Sequence, residues 1–121
     1  MNDVNAVPIT KIGVYEIHGD IKKIGYLTSA KISTQLYYNL SMRQFFWVKW
    51  FASGKCHIDF FDTSEAGLKY LDNPYGRGEI SIAFCSRQDC VRELFYNYET
   101  NSYSVSSYDG VSVYLAKMKG C

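Results

Sequence analysis

Two short patterns in the sequence carry the residue types of acid–base chemistry, Glu16-x-His18 and His57-x-Asp59. A spacing of two places both side chains on one face of a strand, where a carboxylate can orient an imidazole for work as a general base. The same spacing arises when a strand turns its polar residues toward water. His57 with Asp59 is therefore kept as an alternative catalytic pair, and the main reading assigns no catalytic residue. Cys90 would lie in the first turn of a helix over 86–98, a position that favours a thiolate. The four cysteines, at 56, 85, 90 and 121, include no Cys-x-x-Cys, and the two histidines are too far apart for zinc-site spacing. They read as reduced thiols, with Cys85–Cys90 and Cys56–Cys121 as the pairings open to an oxidising compartment. Asn73-Pro74-Tyr75-Gly76-Arg77-Gly78 is glycine-rich but matches neither dinucleotide-binding nor Walker A spacing. No metal and no cofactor is expected.

A third feature is compositional. Ten of the twenty residues from Phe95 to Tyr114 are Tyr or Ser. Tyrosine brings large contact area with few rotatable bonds, and serine brings adaptable hydrogen bonding, the mixture that antibody binding loops use. Tyr96, Tyr98, Tyr103, Tyr108 and Tyr114 are thus the candidate anchors of a protein interface. The competing reading is a tyrosine-rich sheet whose rings pack across strands.

The elements that must position these residues follow from periodicity. Residues 11–17 and 21–27 read as strands joined at His18-Gly19-Asp20. Ile32, Leu36 and Leu40 recur every four residues, predicting a helix near 30–43. Phe45–Phe51 and Cys56–Phe61 form the most β-prone hairpin, expected at the centre of the sheet. Capping residues at 62–65 open a short helix reaching residue 71. Ile80, Ile82 and Phe84 alternate as on a half-buried strand. Residues 86–98 lean toward a helix, with Val91, Leu94, Phe95 and Tyr98 on one face. Two closing strands meet at Tyr108-Asp109-Gly110. The expected core comprises Trp47, Ile58, Phe60, Ile80, Ile82 and Phe84.

A chain of 121 residues, 47% hydrophobic and 21% charged, suits one globular domain with its own core. The net charge of +1 is too small for a non-specific duplex binder, which works by neutralising phosphates. Charge is uneven, however. Residues 1–55 hold seven Lys or Arg against three acids, and residues 56–121 hold six against nine. The expected fold is α+β, a single domain over 1–121 with a mainly antiparallel sheet and two or three short helices. Residues 1–9 are read as a flexible N-terminal segment. The N-terminus lacks a signal-like apolar stretch and no apolar run approaches membrane-spanning length, so a cytoplasmic location without membrane association is expected. The function expected is a non-enzymatic protein-binding module, such as a small inhibitor, immunity or accessory factor. Single-stranded nucleic-acid binding through stacked aromatics is the first alternative, and an enzyme using His57 and Asp59 the second.

Overall fold

The computed structural model describes residues 8–28, 32–87, 90–106 and 112–117. Strands β1 (Ile9–Ile12) and β2 (Tyr15–His18) form a separate hairpin. The main sheet comprises β3 (Ile21–Thr28), β4 (Ile32–Asn39), β5 (Gln44–Phe51), β6 (Cys56–Phe60), β7 (Asp62–Thr63), β8 (Glu79–Arg87), β9 (Cys90–Asn97), β10 (Ser102–Ser106) and β11 (Ser112–Lys117). Helix α1 (Glu65–Asp72) lies between β7 and β8. Every strand pairing is antiparallel.

The strand order, β6-β5-β4-β3-β11-β10-β9-β8-β7, begins and ends on one continuous stretch of chain. Only Phe61 separates β6 from β7. Its N–H donates to Phe45 O at 2.8 Å, extending the ladder with β5, while Asp62 and Thr63 pair with Phe84 and Ala83 of β8. One segment therefore borders both ends of the sheet, and the sheet closes as an eight-stave, up-and-down ring.

The ring corrects the expected α+β class. The architecture is mostly antiparallel β, with one short helix among the described residues instead of two or three. The expected helix near 30–43 is β4. A repeat of four lies on one face of a strand as well as of a helix, and Tyr37-Tyr38 with Thr34 and Ile32 tip the balance toward strand. The segment expected as a helix over 86–98 contains β9, so Cys90 opens a strand and not a helix. The short helix is present. Ser64 caps it by accepting Gly67 N–H at 2.9 Å, and Glu65 stands in the first turn. A Cβ at Gly67 would meet Ile82 O at 2.0 Å, so glycine lets α1 lie directly against the β8 backbone.

The first expected hairpin also differs. Gly13, at φ +61°, turns the chain five residues earlier than expected, so β2 pairs with β1 and not with β3. This small hairpin lays Ile12 and Ile17 over Phe46, Val48 and Ile58 on the outside of the ring, while Phe45 and Trp47 face its interior. β5 is consequently buried on both faces, which is why it reads as an unbroken apolar run. The β5–β6 hairpin forms as expected, but β6 terminates the strand order and is not central. Of the expected core, Trp47, Ile58 and Ile82 are buried and Ile80 is partly buried, whereas Phe60 and Phe84 are 40% and 44% exposed. β6 turns Asp59 inward and Phe60 outward. In β8 a register shift between Ser81 and Ala83 reverses the alternation, sending Ala83 and Cys85 inside in place of Phe84. Residues 1–7 lie outside the described residues, and Ile9 already belongs to β1. Among the described residues, no helix is long and apolar enough to cross a membrane.

Candidate functional site

The ring has two ends, distinguished by the chemistry each strand brings there. At the end carrying the β5–β6 turn, Trp47 and Lys49 of β5 stand opposite Asp59 and His57 of β6 in the ladder. The Asp59 side chain is fully buried. Its Oδ2 accepts the Trp47 indole N–H at 2.8 Å, and its Oδ1 lies 2.9 Å from His57 Nε2. Arg92 of β9 brings Nε to 3.7 Å from Oδ2 and its guanidinium to 4.7 Å from the Trp47 ring centroid. Lys49 Nζ lies 5.1 Å from the same centroid.

Burial alone would push the Asp59 carboxyl upward. The Trp47 hydrogen bond, the adjoining His57 and the Arg92 charge together outweigh it and hold the group below the usual carboxylate range. An ionised Asp59 accepts, so Nε2 of His57 carries the hydrogen, and Nδ1 is the basic atom of the neutral ring. His57 is half-exposed, with 46% of its side chain reaching solvent. The expected His57–Asp59 pair is therefore formed. What sequence reasoning missed is its company: Trp47, Lys49 and Arg92 show no motif, and Arg92 arrives only because the ring closes. Glu16 and His18, by contrast, sit exposed on β2 with no hydrogen bond between them.

At the opposite end, α1 covers the interior. A cavity of about 300 Å³ opens there between the helix and the strand ends. Buried Ile24, Phe45, Tyr70 and Tyr103 make its floor, half-buried Tyr38 and Leu71 its walls, and exposed Lys22, Leu40 and Pro74 its rim. The hydroxyls of Tyr70 and Tyr103 are hydrogen-bonded at 2.9 Å. Burial pushes the Tyr70 phenol up to about 12, so it stays neutral across the physiological range. Burial likewise raises Tyr38. Beside the rim, Arg43 binds Asp72 at 3.0 Å, tying the β4–β5 turn to the end of α1.

The expected interface tyrosines fall mainly in this region. Tyr96 and Tyr103 are 1% and 2% exposed and belong to the core, so neither ring presents a surface to a partner. Tyr98 is half-buried against them. Tyr96 centres the cluster, 4.5 Å from Tyr70 and 5.1 Å from both Tyr98 and Tyr103, and its hydroxyl donates to Asn101 at 2.9 Å. Tyr114 pairs with Ser104 in the β10–β11 ladder, and Tyr108 lies outside the described residues with its turn. For the described rings of the segment, cross-strand packing is the role on view.

Cys85 is a buried free thiol, and Cys56 a half-buried one beneath the β1–β2 hairpin. Among the described residues, no three His, Cys, Asp or Glu side chains are grouped to hold a metal ion. No family model, curated protein or solved structure matches the chain.

Proposed function

We propose that this protein binds a small molecule with an apolar, ring-containing body in the cavity at the α1 end. The observation that carries the reading is the cavity itself. An eight-strand ring is just wide enough to be filled by its own side chains or to admit one small ligand. Here Trp47, Phe61, Leu36 and Leu94 fill the middle, and about 300 Å³ is left beside α1. That volume is at the small end of ligand sites, which pair aromatic and aliphatic walls with a few polar groups. Three phenols and one lysine supply those groups. The His57–Asp59 pair is the weaker candidate, because each Asp59 oxygen is already engaged by the protein's own donors.

The test is a titration with a neutral aromatic probe, 1-naphthalenemethanol, followed by amide chemical shifts and thermal melting. Saturable shifts at Ile24, Leu40 and Leu71 are expected. The melt should rise with ligand, a stabilisation of about 2.7 kcal/mol at one hundred times Kd. Leu40→Trp at the exposed rim and Leu71→Trp in the wall should each block binding. Absence of saturable shifts, or binding indifferent to both variants, rejects the reading.

A protein partner is the second reading, favoured by a surface other than the Tyr/Ser segment. Tyr75 and Met42, 85% and 64% exposed, follow closely on the rim residues Pro74 and Leu40. Exposed aromatic and methionine side chains are the types enriched in interfaces.

A further inference from the structure

We infer that the ligand of the α1-end cavity is an organic anion, a carboxylate on a ring-containing body, with Lys22 as its counter-charge; this rests on the reading of that cavity as a binding site. The lining contains one charged residue, Lys22, and no carboxylate. Lys22 lies on β3 opposite Tyr38 of β4, so the ladder places the amine beside the aromatic wall. Among the described residues the Lys22 ammonium makes no ion pair, hydrogen bond or ring contact. The nearby charges do not compensate it. Arg43 and Asp72 satisfy each other at 3.0 Å, leaving the rim with one net positive charge.

The physics then selects among ligands of equal size. A neutral ligand entering the cavity takes water from the ammonium group and returns at most a neutral acceptor, so part of the cost of covering a charged group is left standing. A carboxylate replaces that water with a charge-assisted hydrogen bond, about twice the strength of a neutral one. A cationic ligand meets repulsion from Lys22 and finds no acid on the lining. Tyr38 reinforces the choice: its half-buried phenol, protonated at neutral pH, can donate to an oxygen anion beside Lys22.

The experiment compares two probes of nearly the same shape, 1-naphthaleneacetate and the neutral 1-naphthaleneacetamide, by calorimetric titration at low salt. The acetate should bind the native chain about tenfold more tightly, and added salt should narrow the gap because the contact lies at an exposed rim. Lys22→Met keeps the aliphatic stem and should bring the two probes to within about twofold, chiefly by weakening the acetate. Equal affinities in the native chain, or a preference for acetate that survives Lys22→Met, overturns the anion inference while leaving the cavity as the binding site. If neither probe binds, or both still bind Leu40→Trp and Leu71→Trp, the cavity reading itself fails.

Discussion

The two ends of the ring divide space and charge between them. Around Asp59, a fully buried carboxylate has drawn Trp47, His57 and Arg92 onto itself, and polar atoms are satisfied within the protein. At the α1 end, tyrosines pack on one another and leave room. The end with the recognisable pattern, His-x-Asp, is the one whose groups are occupied. The end with the cavity carries no motif at all. Asp59 also forms a clasp between strands: it lies on β6, which among the described residues pairs only with β5, and comes within 3.7 Å of Arg92 on β9.

Breaking the α1 end should produce the largest effect. Tyr96 is buried at the hub of the tyrosine cluster, so Tyr96→Ala should cost about 3–5 kcal/mol in urea unfolding. A loss below about 1 kcal/mol would mean the cluster contributes contact area without supporting the fold. The Trp47 indole N–H resonance should stay in place in this variant if the two ends are independent.

The clasp should break at somewhat lower cost. Asp59→Ala removes the hydrogen-bond partner of His57 and of the Trp47 N–H and the negative charge 3.7 Å from Arg92, a loss on the order of 3 kcal/mol for a buried pair with one partner near solvent. The same carboxyl gives the comparison a pH signature. Asp59 is held below its ordinary value, so its contribution is complete above the unfolded value near 3.9 and disappears as pH falls through the lower folded value. Asp59→Asn should therefore show a shallower loss of stability than the native chain as the pH falls below about 4. An identical acid slope in both proteins would show that Asp59 gains no net preference for its charged form from Trp47, His57 and Arg92.

Phe60 sharpens the comparison by belonging to neither end. It lies on the outer face, 5.5 Å from Phe46 and 40% exposed, so Phe60→Ala should cost only about 1 kcal/mol and leave both ligand binding and the acid slope unchanged.

These placements explain what the sequence could and could not convey. The β5–β6 hairpin, the capped α1 and the His57–Asp59 contact were legible because each depends on residues close in the chain. The parity of Phe60 and Phe84 was not. In β6 the rule that aromatic residues turn inward and carboxylates outward gives way to the pairing of Asp59 with the buried Trp47 N–H and the Arg92 charge. In β8 the register shift after Ser81 moves every later side chain to the other face. The helix expected near 30–43 failed on arithmetic, since four is a multiple of the strand repeat. The cavity was invisible for another reason. Its lining comes from β3, β4, the β4–β5 turn, β5, β10, α1 and the loop after α1, which no local pattern links. The tyrosines of the C-terminal segment were legible as unusual, and their cross-strand use was already the competing reading.

The joint at Phe61 has a consequence for how the protein meets other copies of itself. A sheet with two free terminal strands exposes rows of unpaired N–H and C=O groups that a neighbouring chain can extend. Here the two terminal strands are one segment, held to β5 through Phe61 N–H and to β8 through Asp62 and Thr63. Strand exchange or fibrillar pairing at those positions must first release that segment. Conditions that loosen Phe61 should therefore favour pairing between copies at these strands.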